Sequence, residues 1–199
     1  MKVKITLTEE MLGTACHNPD VHEEFIASKS ADAKKIKEEL GTLPAEDLIE
    51  KAVTVFHRGP DGKPILFDYQ VKGFLKEAVG VQIELAGEEI RVGKTKLSKY
   101  TFKRIVDNNI FVFPRMISLG CDVGPICTRP LRADTMKGER VSLASSETVS
   151  AGTSFECEIK TLTPALDKLI EKCLDYGALK GLGQWRNSGK GRFAWELVE

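Results

Sequence analysis

The stretch TPALDKLIEKCLDYGALKGLGQWRNSGKGRFAW, Thr163 to Trp195, decides the fold. Its first half outlines a helix. Thr163 is a side chain able to cap, and Pro164 suits the first helical position, where its missing N–H costs nothing. Ala165, Leu166, Leu169, Ile170, Cys173 and Leu174 recur at helical spacing, with Asp167, Lys168, Glu171 and Lys172 on the other side. Gly177 is the expected C-cap, which gives a helix over residues 164–176. The second half holds five glycines within fifteen residues: Gly177, Gly181, Gly183, Gly189 and Gly191. Phe193, Trp195 and Leu197 then alternate, as in a closing strand over residues 192–198.

Between helix and strand the residue types point to a polyanion. Glycine lets the backbone take positive φ and lets another backbone come close. Successive amide groups in such a turn form a concave anion site. Lys180, Lys190 and Arg192 supply charge for phosphates, and the Trp185 indole offers a face on which a base can stack. That chemistry is binding to a nucleic-acid backbone and not bond making. The same composition also fits an ordinary helix-to-strand connection with Trp185 tucked into the core. A Walker A loop is excluded, because no Gly-Lys-Ser/Thr follows the required spacing. A dinucleotide fingerprint is excluded too, since it runs strand, glycines, helix, and here the order is reversed.

Outward from that stretch, the rest of the chain supplies matching pieces. Val3, Ile5 and Leu7 alternate with Lys2, Lys4 and Thr6, which predicts a half-buried strand over residues 1–8. Residues 9–52 change character, with acidic helical patterns after Asn18-Pro19-Asp20, over Ala31–Leu40 and over Ala45–Lys51. They read as a helical insertion. Val53–Phe56 and Ile65–Phe67 flank Gly59-Pro60-Asp61-Gly62, an expected hairpin. Val71, Phe74, Leu75 and Ala78 mark a helix over residues 70–79. Gly73 falls inside it, where glycine costs about 1 kcal/mol against alanine; tight packing on a strand or close approach by a ligand would each explain it. A hairpin is expected over 81–85 and 89–92 around Gly87, then a helix over 97–107 and a strand over 110–114. A loop carries Gly120, Gly124 and Arg129 to Arg132. Residues 140–149 and 154–162 are expected to pair around Ser150-Ala151-Gly152. The recurrent pieces give β-α-β-β-α-β, the order of an α+β, ferredoxin-like (RRM-like) core with long insertions. The open face of such a sheet is where related folds lay out single-stranded RNA.

Composition sets bounds on function. Lysine plus arginine equals aspartate plus glutamate, so the formal net charge is zero. That counts against a strongly basic, non-specific nucleic-acid binder, although cations still gather around the glycines. Cys16, Cys121, Cys127, Cys157 and Cys173 contain no C-x-x-C pair. With only His17, His22 and His57 beside them, neither a metal site nor another cofactor is indicated. No apolar run reaches the length of a membrane span or a signal h-region, and the chain reads as cytoplasmic.

Two motifs together carry a resemblance. GLGQWRNSGKGRF, residues 181–193, stands after an amphipathic helix and before the last strand. There it resembles the glycine-rich loop of the RAMP superfamily, the RNA-binding CRISPR-associated proteins with ferredoxin-like folds. YQVKGFLKEA, residues 69–78, looks like the first-helix signature of that superfamily. RVSLASSETV, residues 140–149, resembles sheet strands of the subunits that polymerise along CRISPR RNA. The likeness covers about half the chain and implies a single RAMP-like domain over residues 1–199. It implies that Gly181, Gly183, Gly189 and Gly191 shape the loop and approach the RNA backbone. It further implies that Lys72, Lys180, Lys190 and Arg192 neutralise phosphates, and that Trp185 either stacks on a base or anchors the loop in the core. Gln184, Arg186, Asn187 and Ser188 complete the arch, and Arg115, Arg129 and Arg132 would extend the basic track. Where the superfamily has small residues before the Lys-Gly pair, this chain has Tyr69-Gln70-Val71.

Three functions fit this reading. The first is a stand-alone module that binds single-stranded RNA through the glycine loop. The second is a phage-borne interaction protein, an anti-CRISPR that mimics an effector subunit and docks on the complex, or that self-associates. The third is a metal-independent endoribonuclease using a histidine. No catalytic constellation can be assigned by spacing, and Asp32 in the insertion is fixed by no motif.

Overall fold

A computed structural model describes residues 1–16, 53–85, 90–135 and 138–198. The alternating start forms β1 (Lys2–Leu7), followed by two short strands, β2 (Met11–Leu12) and β3 (Ala15–Cys16). Residues 9–16 of the expected insertion are therefore not helical. The helical patterns over 17–52, with His17, His22 and Asp32, lie outside the described residues. Next come β4 (Val53–Val55), β5 (His57–Arg58), β6 (Pro64–Phe67) and α1 (Asp68–Leu85). A small hairpin of β7 (Arg91–Val92) and β8 (Thr95–Lys96) leads to α2 (Phe102–Asn109), β9 (Ile110–Phe113) and β10 (Met116–Ser118). The long strands β11 (Cys127–Thr135) and β12 (Gly138–Ser146) precede β13 (Thr148–Val149), β14 (Ser154–Thr161), α3 (Pro164–Lys180) and β15 (Phe193–Leu197).

The protein is α+β. Its central sheet runs β15-β1-β14-β9, and every pair in it is antiparallel. Side chains alternate across that sheet, so one face carries Val3, Ile5, Leu7, Phe155, Cys157, Ile159, Val112 and Phe193, all buried. Those residues meet Val71, Phe74, Leu75 and Ala78 of α1 and Leu166, Leu169, Ile170, Cys173 and Leu174 of α3 in one core. The two helices thus cover one face. The opposite face presents Lys2, Lys4, Glu156, Glu158, Lys160 and Glu196, with Phe111 and Phe113 half-exposed at the β9 edge. Among the described residues no helix is long and apolar enough to cross a membrane.

Several local expectations need correction. The hairpin expected from residue 81 is absent, because Val81–Leu85 are the last turns of α1. No breaker stops that helix at Gly80. The Phe102 ring already fills the place a side chain there would take, 3.2 Å from an added Cβ. Gly87 lies outside the described residues. Strand 140–149 does not pair with strand 154–161 either. Both neighbours of β14 are taken by β1 and β9, so β12 pairs instead along its whole length with β11 and ends parallel to β4. Ser150-Ala151-Gly152 still reverses the chain, with Gly152 at φ 86°, but between β13 and β14. Arg129 and Arg132 stand on β11 and not in a loop; Pro130 is tolerated there because β11 is an edge strand. The Gly59–Gly62 turn joins β5, not β4, to β6.

The decisive helix also runs past its expected end. α3 continues to Lys180, and Gly181, at φ 79°, is its C-cap. Gly177 serves packing instead. A Cβ there would fall 1.9 Å from Cζ of the fully buried Phe193, so its bare Cα is the seat of that ring. Thr163 stands at the N-cap, but its hydroxyl makes no cap bond.

Two outcomes follow. Gly177→Ala should destabilise the protein by about 1–3 kcal/mol through overpacking against Phe193, despite alanine's better helix propensity; urea unfolding midpoints measure this. Burial pushes the Cys157 and Cys173 thiols up to about 12 each, leaving almost no thiolate at pH 8. In native protein at that pH, thiol reagents should label neither cysteine, and both should label once the chain is unfolded.

Candidate nucleic-acid interface

The connection from α3 to β15 folds back on itself. Gly181, Gly183, Gly189 and Gly191 all have left-handed φ, between 72° and 88°. At Gly191 the reason is contact as well as conformation, because an added Cβ would stand 1.8 Å from the Leu182 carbonyl oxygen. Leu182 N–H donates to Gly191 O at 2.8 Å, and Gly191 N–H donates to Glu10 O at 2.8 Å. A Cβ at Gly183 would meet Leu12 O at 2.6 Å. The backbone these glycines approach is therefore the protein's own. They close the loop and seat it on β2.

What the closed loop leaves outward is the arch from Gln184 to Lys190. Trp185 has φ 54° and ψ 34°, the one non-glycine residue with positive φ among the described residues. Arg186–Ser188 form a 3-10 turn held by Ser188 N–H and Oγ–H, both donating to Trp185 O. Trp185 is not tucked into the core, since 41% of it is exposed.

The cations of the arch come already partnered. Arg186 Nη1 lies 2.7 Å from Glu77 Oε2, and Lys180 Nζ lies 3.6 Å from the other Glu77 oxygen and 3.2 Å from Asn187 Oδ1. Lys190 pairs with Glu10, and the hydrogen bond to that carboxylate raises the Lys190 ammonium above lysine's ordinary range. Arg192 Nε donates to Leu179 O at 3.1 Å, and the residue is exposed. Sequence reasoning missed Glu10 and Glu77. Glu77 was findable, because residues 70, 73, 74 and 77 share one face of α1 at helical spacing.

That face and the loop enclose a cleft of about 260 Å³. Gln70, Gly73, Phe74 and Glu77 line one side, and Gly183 and Arg186 line the other. Gly73 is exposed, and an added Cβ would find nothing within 4 Å. Tight packing on a strand is therefore not why a glycine stands there.

The remaining predicted residues divide. Lys72 lies on the other side of α1, where its Nζ donates to Asp107 O at 2.9 Å and stands 5.2 Å from the Phe111 ring centroid. Burial there holds its ammonium below lysine's ordinary range. The structure thus does not bring Lys72 to the glycine loop. Arg115, just before β10, lies near Asp68 and over the Phe67 ring. The Arg132 side chain is outside the described part. Arg129 does join the loop: its Nη2 donates to Gln184 Oε1 at 2.8 Å, and its guanidinium lies 5.3 Å from the Trp185 ring centroid. On the open sheet face, Lys2–Glu156, Lys4–Glu196 and Lys160–Glu158 pair at 2.9, 2.9 and 3.4 Å, so that face is neutral and offers no phosphate track. His57 is buried edge-on against Phe67, with ring centroids 4.8 Å apart, and cannot reach a substrate.

No protein-family model matches the chain, and no curated protein matches it in sequence. Solved structures resemble it at low identity. A chain of the cryo-EM structure of the Type III-B Cmr-beta bound to cognate target RNA aligns with TM-score 0.49 and 13% identity, over 100% of this chain and 58% of that one. A chain of a Type IV-B CRISPR complex aligns with TM-score 0.45 and 14% identity, over 99% and 89%. Cmr6 from Pyrococcus furiosus aligns with TM-score 0.47 and 10% identity, over 99% and 97%. This chain thus spans 58% of the length of the first.

The empty space at Gly73 has a direct consequence. Gly73→Ala should raise stability by about 0.5–1 kcal/mol, because a helix gains a better former and nothing is displaced; thermal unfolding measures it.

Proposed function

We propose that this chain is a RAMP-like module that binds single-stranded RNA in the cleft between α1 and the glycine loop. In this reading residues 1–199 form one domain, residues 9–52 are an insertion within it, and the sheet with its two helices is a ferredoxin-like core. The strand order supports that last point: counted by place in the β-α-β-β-α-β series, β15-β1-β14-β9 runs four, one, three, two. The observation that carries the functional reading is Gly73. A helix keeps a glycine with nothing packed on it, facing a cleft with Arg186 on its far wall. A ligand lying against bare helix backbone accounts for a residue that stability disfavours.

Glu77 sets the strength of binding. A phosphate and a carboxylate compete for the same guanidinium and ammonium donors. Ion pairs open to solvent contribute only about 0–1 kcal/mol, and these are partly exposed, so exchanging Glu77 for a phosphate on Arg186 and Lys180 costs little. The displaced carboxylate still repels the strand, which keeps affinity moderate and confines it to the cleft.

A second reading, protein docking by an effector-subunit look-alike, is favoured by one observation: the neutral open sheet ends in half-exposed Phe111 and Phe113 on the edge strand β9. Capture of CRISPR effector subunits by the pure protein, with no shift of labelled RNA, would establish that reading in place of the first.

Fluorescence polarisation of a labelled single-stranded RNA tests the proposal. Affinity should fall as salt rises, with a log–log slope of about −0.7 for each phosphate neutralised. Gly73→Leu should weaken binding at least about 10-fold by filling the cleft, while its thermal midpoint stays at or above wild type. Glu77→Gln should tighten binding several-fold. RNA binding indifferent to Gly73→Leu, or none at low salt, sinks the reading.

A further inference from the structure

We infer that Trp185, backed by Arg129, is a stacking subsite for one unpaired nucleobase, placed beside the cleft; the inference rests on the RNA-binding reading above. Arg129 is only 5% exposed. Its Nη1 donates to Ser146 Oγ at 2.9 Å and its Nη2 to Gln184 Oε1, and its Nε has no partner. Among the described residues no carboxylate pairs with it, although Glu147, next to Ser146, is engaged by Arg58 and by Phe56 N–H. A guanidinium so buried is costly when its neighbours are only a hydroxyl, an amide and a π system. What it does there is geometric. It lies over the indole from the buried side, and 41% of Trp185 still meets solvent. A base reaches the ring from the side that Arg129 leaves open.

Three further features suit a base. Trp185 is held in a left-handed conformation that a bulky side chain rarely adopts, and such strain gathers where a side chain must be aimed. The 3-10 turn behind it fixes that aim. Because a guanidinium only donates, Arg129 fixes the Gln184 amide with Oε1 inward, so the group Gln184 has left to offer is the Nε2 donor. A base stacked on the indole brings acceptors within reach of that edge, the unprotonated ring nitrogens of adenine among them. Arg186, the next residue, lines the cleft, so a strand whose phosphates lie at Arg186 places a base over Trp185 in one step along the backbone. Arg129 is thus a positioning residue for the platform and not a phosphate contact.

The test uses the full chain carrying Trp195→Phe, which leaves Trp185 as the single indole reporter, since the sequence has two tryptophans. Two end-labelled oligomers of equal length are compared: oligoadenylate, and an abasic strand offering the same phosphates without bases. Polarisation reports binding of either, and indole emission reports stacking. Oligoadenylate should quench most of the Trp185 emission, and the abasic strand should bind without quenching. Trp185→Ala should weaken oligoadenylate roughly 10-fold to 100-fold and leave the abasic strand unaffected. Equal quenching by both strands, or an unchanged affinity ratio in Trp185→Ala, overturns the base subsite while RNA binding stands. Failure of both strands to bind overturns both readings. If Trp185→Ala does not fold, the quenching comparison decides alone.

Discussion

The backbone crossing at Leu182 and Gly191 is the constraint on which the rest of this molecule turns. Two segments of chain pass so close that a Cβ on either glycine of the pair Gly181 and Gly191 would meet main-chain atoms at 2.6 Å or less. That closure ties three regions together. It ends α3 at Gly181, it ties the loop by Gly191 N–H to Glu10 O just before β2, and it delivers Phe193 to β15 in register with Leu7. Phe193 then fills the notch at Gly177 and meets Phe74 of α1 edge-on, with centroids 5.5 Å apart. The packing of both helices on the sheet and the shape of the outward arch therefore share one cause.

The same closure decides the electrostatics. A loop spread loosely would leave its cations in water. Folded back, it puts Arg186 and Lys180 over Glu77 and Lys190 over Glu10. Partly exposed pairs of this kind contribute little to fold stability. They hold flexible side chains in one geometry and offset the positive charge of the arch. In the RNA-binding reading proposed above, such a cleft selects for a ligand that offers more than charge, because charge alone gains little over the carboxylate it displaces.

The sequence made the frame legible for a physical reason. Val3, Ile5 and Leu7 alternate because one face of their strand is buried, and Leu166, Leu169, Ile170, Cys173 and Leu174 keep helical spacing for the same cause. Burial imprints period, and period can be read. Pairing leaves no such mark. That β12 would choose β11 over β14 depends on β14 having both edges occupied, a fact about distant chain segments. The glycine loop was legible as a special backbone, but not what it approaches. Lys72 shows the limit most clearly. It neighbours Gly73 in sequence, yet about 100° of helical turn sends it to Asp107 and Phe111, away from the cleft. Glu77, four residues beyond Gly73, returns to the same face and so belongs to the site.

Arg129 sharpens the distinction between residues kept for folding and residues kept for use. Replacing a buried, poorly compensated charge with an apolar side chain of similar volume is often neutral or stabilising, and the edge strand β11 could carry such a residue. Its hydrogen bonds go to Gln184 and to Ser146, which is fully buried and also bonded to Thr54 Oγ1. Arg129 also holds Trp185 and Gln184, which stand at the start of the outward arch. Gly73 is the opposite case: Arg129 buries a charge with no carboxylate partner among the described residues, and Gly73 lacks a side chain that a helix would prefer. Both stand beside the same loop, and in the RNA-binding reading proposed above one bound strand accounts for the two together.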